Sequence, residues 1–320
     1  MKAIVVNEFG PPEVMKVEEV SIPQPGGTQV LVRVEAIGVN PVETYIRSGA
    51  YSTALPLPYT PGKDAAGVVD AVGESVTKFK VGDRVYTSDS ISGTYAEFSV
   101  CEEMDVGILP DNITFEQGAG IWTPYATAYR ALFQKAYAVT GETVLIHGAS
   151  GGVGVAAIQW AKNAGLTVIG TASSEDGKKL AAEQGADHVL DHSDSGHTQQ
   201  VKDLTNGKGV EVIIEMLANV NLVIDFDALA MFGRITVVGS RGSLDFNPRL
   251  TMQKDATIRG MALFNSPQPD RDEIHAAIAD GLTAGFLHPI IRKTMPLSAA
   301  VQAHHEIIED KAFGKITLIP

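Results

Sequence analysis

Residues 141–162, reading GETVLIHGASGGVGVAAIQWAK, constrain the fold more than any other stretch of this chain. Residues 143–147 are a short apolar run, with the length and β-branched content typical of a strand buried on both faces. A glycine-rich turn follows, and then an apolar helical pattern without a breaker. The turn matches Gly-x-Gly-x-x-Gly with Ala149 in the first position, followed by Gly151 and Gly154. This order predicts the first half of a dinucleotide-binding βαβ unit.

Strands and helices alternate from residue 143 to residue 262, as in a doubly wound parallel sheet with right-handed crossovers. Within the glycine turn, Gly151 leaves room for a pyrophosphate and Gly154 lets the helix pack closely on the strand. Four glycines stand where helix C-caps are expected: Gly165, Gly185, Gly207 and Gly233. The predicted strands are 143–147, 167–171, 188–190, 211–214 and 234–238, with a sixth at 257–262.

The flanking regions have a different pattern. Short strands broken by proline and glycine turns predict a compact, partly open barrel before residue 115. Helical patterns at 115–135, capped by Asn112 or Thr114, mark the crossing into the nucleotide domain. The chain ends with segments that we read as a return to the first domain, which makes that domain discontinuous and forms a cleft between the two. The early strands are 2–6, 29–34, 67–72 and 83–86; the final segments are helices 270–283 and 298–309 and strand 315–319.

Composition excludes several classes of protein. The 320 residues are 44% hydrophobic, enough for a large core and two domains, but no apolar run is long enough to span a bilayer. The single cysteine, Cys101, rules out an internal disulfide and any site that needs several thiolates. A net charge of −13 without a Lys/Arg cluster argues against nonspecific binding to duplex nucleic acid. These features predict a cytoplasmic enzyme without a membrane partner.

The whole chain resembles the quinone oxidoreductases and zeta-crystallins, a group within the medium-chain dehydrogenase/reductases. The resemblance lies in the glycine stretch, with Gln159 and Lys162, and in the segments GVNPVETYIRSGAYS and PGKDAAGVVDAVGESVTKFKVGDRVY. It implies an α/β protein in which a Rossmann NADPH-binding domain, residues 126–263, is combined with a discontinuous β-rich GroES-like catalytic domain. The catalytic domain is expected at residues 1–125 and 264–320.

The second strand of the nucleotide domain indicates which cofactor binds. It ends at Thr171-Ala172-Ser173-Ser174, without the carboxylate that holds the ribose 2′-hydroxyl of NAD. Ser173 leaves room for a 2′-phosphate, and Lys178 and Lys179 follow closely enough to pair with it. Glu175 and Asp176 count against this, although acidic residues in a first helical turn also favour the helix dipole. The sequence therefore favours NADPH.

The resemblance assigns further cofactor contacts, most of them at C-terminal strand ends, where open α/β sheets bind ligands. His192 would face the adenosine end, although a polar residue at the start of a loop is an equal alternative. Arg241 could instead be a surface ion-pair partner. The full set implied for the cofactor is Tyr45, Ser150, Gly151, Gly152, Val153, Ser173, Lys178, His192, Asn221, Val238, Gly239, Ser240, Arg241, Met261, Ala262 and Leu263.

The same resemblance points to an enzyme without a metal. Zinc-dependent relatives hold their catalytic ion with two cysteines and a histidine. The matching stretches here have Asn40, Lys63-Asp64 and Thr123, none of which supplies a thiolate or an imidazole, and Lys63 would repel the ion. The adjacent His304 and His305 point to different faces of their helix and are expected to face solvent. We predict no metal site.

Without a Lewis acid, the substrate must accept hydride readily by itself. Quinones do so because reduction makes them aromatic, and conjugated enones do so less strongly. The predicted function is NADPH-dependent quinone reduction, by hydride or stepwise electron transfer, in the cleft between the domains. Asn40, Tyr45 and Tyr51 are the candidate catalytic residues: their N–H and O–H groups would donate to the developing hydroquinone oxygen, and tyrosine rings would flank a flat substrate. Each tyrosine could instead be a packing residue.

Two other functions stay open at this stage. One is reduction of the activated carbon–carbon double bond of an enone. The other is a binding role for a cofactor-loaded protein, including RNA binding, which rests on the resemblance alone. The sixth strand offers an apolar sheet edge that needs cover, so a homodimer or homotetramer is expected.

Overall fold

The computed structural model describes residues 1–51 and 55–320. The chain forms two compact units. Unit 1 comprises Met1–Thr123, His288–Asp310 and Gly314–Pro320, and unit 2 comprises Pro124–Leu287 and Lys311–Phe313. Within the described residues, no helix is both long and apolar enough to cross a membrane.

The strands, in chain order, are β1 (Lys2–Val6), β2 (Met15–Glu19), β3 (Gln29–Val39), β4 (Ala65–Val72), β5 (Arg84–Thr87), β6 (Phe98–Glu102), β7 (Val106–Ile108), β8 (Thr143–Ile146), β9 (Thr167–Thr171), β10 (His188–Leu190), β11 (Val210–Glu215), β12 (Leu229–Val237), β13 (Thr257–Gly260), β14 (Ile291–Pro296) and β15 (Lys315–Ile319). The α-helices are α1 (Pro41–Arg47), α2 (Phe115–Gly118), α3 (Thr127–Tyr129), α4 (Gly152–Asn163), α5 (Glu175–Glu183), α6 (His197–Leu204), α7 (Ala218–Ala228), α8 (Arg249–Lys254), α9 (Gln268–Ala284) and α10 (Ala300–Glu309).

Unit 2 contains the predicted doubly wound sheet. Its six strands are all parallel, in the order β10-β9-β8-β11-β12-β13. The central strands are buried on both faces, as their uninterrupted apolar sequences predict. Within the part of the chain that the structure describes, β13 pairs only with β12 and is therefore an edge strand. The order of the strands reverses between β8 and β11, and ligands of such sheets bind at the carboxyl ends of the strands near that point.

The glycines expected as helix C-caps divide into two groups. Gly165, Gly185 and Gly207 adopt φ angles of 76°, 107° and 81° just beyond α4, α5 and α6, which confirms the prediction for them. Gly233 was assigned wrongly. It lies inside β12, because α7 ends at Ala228 and β12 begins at the next residue without an intervening loop.

Unit 1 is built on a mostly antiparallel sheet, ordered β14-β15-β3-β4-β5-β7, with β6 also paired to β3. β3 is longer than the predicted strand 29–34 and continues to Val39. Of the added residues, Ile37, Gly38 and Val39 are buried and pair with β15, near the C-terminal end of the chain. The C-terminal segment therefore does return to the first unit, as the sequence indicated. A hairpin of β1 and β2 completes the strands of this unit.

The boundaries of the units differ from those expected at residues 125/126 and 263/264. The first break lies between Thr123 and Pro124, and α9, assigned above to the first domain, belongs to unit 2. The reason is packing: three apolar residues of α9 are buried, and Phe286, just beyond it, makes an edge-to-face contact with Trp160 at 5.5 Å. Arg130 also pairs with Asp270 of α9 at 2.6 Å. The buried α9 residues are Ile274, Ile278 and Leu282.

Candidate functional site

The glycine turn between β8 and α4 has the geometry that its sequence predicts. A Cβ atom on Gly154 would lie 2.3 Å from the carbonyl oxygen of Gly148 and 2.6 Å from the Cα of Ala149, so only glycine permits this close approach of helix and turn. Gly148 itself has φ 58°. Helix α4 begins immediately afterwards, so its free N–H groups and positive dipole end are directed at this turn.

All the predicted cofactor residues of unit 2 except Lys178, which is on α5, lie along one edge of the parallel sheet, at the carboxyl ends of its strands. Their spread over six strands explains how residues more than a hundred positions apart can contribute to one nucleotide site. They are Ser150, Gly151, Gly152 and Val153 after β8, Ser173 after β9, His192 after β10, Asn221 on α7 after β11, Val238, Gly239, Ser240 and Arg241 after β12, and Met261, Ala262 and Leu263 after β13.

The tip of β9 is approached by a lysine that the sequence analysis missed. Lys311 donates from Nζ to the carbonyl oxygen of Ser173 at 3.3 Å. The next residue, Ala312, accepts a 2.7 Å hydrogen bond from Ser150 Oγ. By contrast, Lys178 is already paired with Glu175 at 2.6 Å and with Asp191 at 3.5 Å. No local pattern could have revealed Lys311, because it lies 138 positions from Ser173 in the chain.

Behind the cofactor edge, unit 2 buries three ionisable side chains in contact with one another. We call His147, Glu215 and Asp225 the buried trio. His147 Nε2 lies 2.8 Å from Asp225 Oδ1 and 3.4 Å from Glu215 Oε2. Burial raises the pKa of both carboxyl groups to about 7 and lowers the pKa of His147. Among the described residues, this is the one cluster whose side chains could together coordinate a metal ion. It was not predicted, although a histidine and a glutamate at the ends of apolar strands were a visible signal.

In unit 1, Asn40 begins α1 and its side chain is fully engaged. Asn40 Nδ2 donates to Asp64 Oδ2 at 3.0 Å and to Glu43 Oε1 at 3.3 Å, and Asn40 Oδ1 accepts a hydrogen bond from Lys315 Nζ. Asn40 is 3% exposed. Both of its side-chain N–H groups therefore already have partners, which does not fit the expected role as a donor to the substrate oxygen.

Thr123 joins the same group of side chains. It donates from Oγ1 to Asp64 Oδ1 at 2.7 Å, and its backbone N–H also faces the Asp64 carboxylate, at 3.2 Å. Lys315 Nζ lies 3.4 Å from Asp64 Oδ2, and both side chains are at most 5% exposed. We call Asn40, Asp64, Thr123 and Lys315 the Lys315 cluster. It brings together one residue from each of the three stretches at which zinc-dependent relatives are expected to carry ligands.

Lys63, the neighbour of Asp64 in the chain, lies apart from the cluster. Lys63 is directed toward Asp89, with its ammonium 2.9 Å from Oδ1, and is 47% exposed. The expectation that Lys63 would repel a metal ion is therefore misplaced. The cation that lies among Asn40, Asp64 and Thr123 is Lys315, which the chain supplies from its last strand.

A second chain of hydrogen bonds leads away from α1. Tyr95 donates to Glu43 Oε2 at 2.6 Å, and its hydroxyl lies 3.1 Å from His304 Nε2. Burial raises the pKa of Glu43 to about 7 and lowers the pKa of His304 to about 3. The expectation that His304 faces solvent is wrong, because its side of α10 packs into the core of unit 1. His305 does face outward, where it pairs with Glu13 and Glu309.

The two candidate catalytic tyrosines belong to the same unit as Asn40. Tyr45 lies on α1, more than one turn beyond Asn40, and is partly exposed. Tyr51 is also partly exposed, and burial raises its pKa. Both rings are therefore partly accessible, whereas the side-chain N–H groups of Asn40 are buried and already hydrogen-bonded.

Comparison with known proteins agrees with this architecture. The family model described as the alcohol dehydrogenase GroES-like domain matches residues 26–136, and the model described as zinc-binding dehydrogenase matches residues 152–280. These models place the chain among the medium-chain dehydrogenase/reductases.

Individual relatives narrow the family further. The human quinone oxidoreductase is 48% identical over 100% of this chain and 98% of its own length. The structure of Escherichia coli quinone oxidoreductase complexed with NADPH superposes with a TM-score of 0.91, at 30% identity and complete coverage of both chains. A 2-haloacrylate reductase from Burkholderia sp. is 32% identical over 99% of this chain and 98% of its own. The chain belongs to the quinone oxidoreductase family.

Proposed function

We propose that this protein reduces quinones with NADPH and without a metal ion. The observation that carries the proposal is the pairing of a nucleotide edge suited to a phosphorylated cofactor with a catalytic unit whose metal-ligand positions are filled by the Lys315 cluster. The human and Escherichia coli relatives, both quinone oxidoreductases, support the same activity.

The choice of NADPH rests on the tip of β9. Ser173 stands where an NAD-binding enzyme carries a carboxylate, and the ammonium group of Lys311 lies 3.3 Å from the Ser173 carbonyl oxygen. A 2′-phosphate at this point would gain a charge-assisted hydrogen bond. Lys178 contributes less than expected, because a phosphate would have to compete with Glu175 and Asp191 for it. The remaining unit 2 residues implied for the cofactor keep their proposed contacts along the sheet edge, and Tyr45 keeps its proposed contact from α1.

The absence of a metal requirement follows from the donor chemistry of the Lys315 cluster. Asn40, Asp64 and Thr123 offer one carboxylate and two neutral oxygens, whereas structural and catalytic zinc sites are built on thiolates and imidazoles. The Asp64 carboxylate already accepts hydrogen bonds from Thr123 and Asn40 and pairs with Lys315. A divalent cation would have to displace a buried ammonium group to reach it.

The chemistry that this chain must supply is then binding and orientation. NADPH, when bound, provides a hydride for the acceptor. We propose that Tyr45 and Tyr51 flank the acceptor ring and donate from their hydroxyl groups to its developing oxygen charge. Asn40 fixes the first turn of α1, which carries Tyr45, and thus acts on the substrate through that helix. A cytoplasmic location remains part of this proposal.

Reduction of an activated double bond is the second candidate, since the related 2-haloacrylate reductase acts on such a substrate by its name. Rates of NADPH oxidation with a naphthoquinone and with a conjugated enone, at matched concentrations, separate the two. We expect the quinone to be reduced faster. If only the enone is reduced, the function is reduction of an activated double bond and not quinone reduction.

The cofactor contact has its own test, the substitution Lys311→Ala. Loss of a charge-assisted hydrogen bond of about 1.5–3 kcal/mol should raise the KM for NADPH roughly tenfold or more and leave the KM for NADH unchanged. Lys208→Ala is the matched control, because Lys208 is 69% exposed and precedes the amino end of β11, away from the carboxyl ends of the strands. Equal loss with both cofactors would remove Lys311 from the 2′-phosphate site.

Association into a homodimer or homotetramer is proposed from the unpaired edge of β13. Exposed apolar residues near β12 also favour cover by a second copy; they include Met231, Phe232 and Met252. Light scattering that gives a single monomer mass would contradict this part of the proposal.

A further inference from the structure

The buried trio lies directly behind the cofactor edge and is joined to two of its segments through Glu215. Glu215 Oε1 accepts hydrogen bonds from the backbone N–H of Leu217 and, at 3.2 Å, from Asn221 Nδ2. The backbone carbonyl of Glu215 accepts from the N–H groups of Val238 and Gly239, at 2.8 Å and 3.3 Å. Glu215 therefore fixes both Asn221 and the loop after β12.

His147 joins the trio to the glycine turn. Its Nδ1 lies 3.4 Å from Thr171 Oγ1, which in turn accepts a hydrogen bond from Gly148 N–H at 3.3 Å. The carbonyl oxygen of Thr171 also accepts from Ala149 N–H at 2.8 Å. The His147 ring therefore links the trio, through Thr171, to the backbone of the glycine turn.

Two carboxyl oxygens of the trio have no hydrogen-bond donor. Glu215 Oε2 and Asp225 Oδ2 are both buried without a hydrogen-bond partner. The charged and titratable groups that face the trio, within the described residues, are histidines: His197, whose ring lies 6.3 Å from that of His147, and His192 after β10. No lysine or arginine of the described part of the chain forms an ion pair with these carboxyl groups. A proton held between the two carboxyl groups would satisfy both oxygens and remove one buried charge.

We propose that Glu215 and Asp225 are positioning residues that share one proton, and that this proton keeps Asn221 and the glycine turn in the geometry that binds the nucleotide. This inference rests on the proposed use of NADPH. When the proton is lost, two adjacent carboxylates repel each other in a buried site. Glu215 can then no longer hold its contacts to Asn221 and Leu217 at the present distances. Nucleotide affinity therefore falls as the pH rises above about 7, the pKa to which burial raises both groups.

The test is the dissociation constant of NADPH for the whole protein, measured by fluorescence from pH 6 to pH 9. We expect the wild-type constant to rise about tenfold, the change that corresponds to roughly one unit of linked pKa shift. In Glu215→Gln the amide oxygen can still accept from Leu217 and Asn221, while the amide N–H donates permanently to Asp225. Its dissociation constant should stay at the low-pH value throughout, and Asp225→Asn should behave alike.

The matched control is Glu211→Gln, a substitution of the same type on the same strand. Glu211 accepts from Thr143 N–H at the far end of β11, so this variant should keep the wild-type pH dependence, including any part due to the 2′-phosphate itself. Melting temperatures establish that each variant is folded. A purely structural role for Glu215 would lower affinity or stability without changing the slope against pH.

Three results would overturn the inference: a pH-independent dissociation constant in the wild type, a wild-type slope in both Glu215→Gln and Asp225→Asn, or a stoichiometric metal ion that Glu215→Gln loses. In each case NADPH still binds, so the proposed cofactor survives. Absence of NADPH binding at every pH would instead refute the proposed function.

Discussion

The two units bury carboxylates in opposite ways. In the Lys315 cluster, Asp64 accepts from Thr123 and Asn40 and pairs with the ammonium of Lys315, so its charge is fully matched by donors that the chain provides. In the buried trio, two carboxyl groups face one imidazole, and two of their oxygens lack partners. The first cluster is balanced by a fixed cation and the second by a proton. The second should therefore be sensitive to pH near neutrality.

The largest effect is expected from Lys315→Met. Removing one member of a buried ion pair leaves Asp64 charged and only partly compensated, which should lower the free energy of unfolding by about 3–5 kcal/mol. Denaturant unfolding measures the change. The double variant Lys315→Met/Asp64→Asn should recover much of the loss, because both charges are then removed. The control is Lys293→Met. The Lys293 side chain is 41% exposed and pairs with Glu306, so its loss should lower the free energy of unfolding by at most about 1 kcal/mol.

A smaller effect is expected in the buried trio. There the contribution of Glu215 to the free energy of unfolding should change with pH. Burial raises the pKa of Glu215 from 4.5 to about 7 in the folded state, so the folded protein holds this proton more tightly than the unfolded chain. The stabilisation is present below pH 4.5 and is lost as the pH rises through about 7. The stability of Glu215→Gln relative to the wild type should therefore increase between these values, by at most about 3 kcal/mol. Thermal unfolding at several pH values would show it, and a constant difference would contradict it.

The smallest expected effect is the loss of stability when one threonine hydroxyl that contacts each cluster is removed. Thr123→Val removes a 2.7 Å hydrogen bond to a charged carboxylate and should destabilise the protein by about 2 kcal/mol. Thr171→Val removes a 3.4 Å contact to the His147 ring and a 3.3 Å hydrogen bond from Gly148 N–H. Both are long and neither involves a carboxylate, so this variant should lose less stability than Thr123→Val. Parallel unfolding curves compare the two variants. Equal losses would mean that the charge on Asp64 does not strengthen its hydrogen bonds.

The sequence predicts the features that depend on local patterns. The glycine turn, the parallel strands and the end of the chain returning to unit 1 follow from apolar runs, glycines and helical spacing. The burial of His304 was also within reach, since Ala300, Ala303 and His304 lie on one side of α10. Polarity alone was the wrong guide there, because a buried tyrosine supplies the hydrogen bond that the imidazole needs.

The features that the sequence did not predict are contacts between distant residues. Lys315 meets Asn40 across 275 positions, and Lys311 meets Ser173 across 138. No periodicity or motif encodes such pairs, since they depend on how whole strands come together. The placement of α9 in unit 2 has the same origin: its amphipathic pattern predicts a helix but not which surface it covers. The sequence did not show that the Asn40 side chain is already engaged, because two of its partners, Asp64 and Lys315, are distant in the chain.

The central claim is that this chain transfers reducing equivalents from NADPH to quinones with its metal-ligand positions filled by side chains. The direct measurement is the rate of NADPH oxidation by a naphthoquinone, using protein treated exhaustively with chelators and checked for residual metal. We predict an unchanged rate, with no gain when zinc is added. Loss of activity on chelation and its return with zinc would contradict the account.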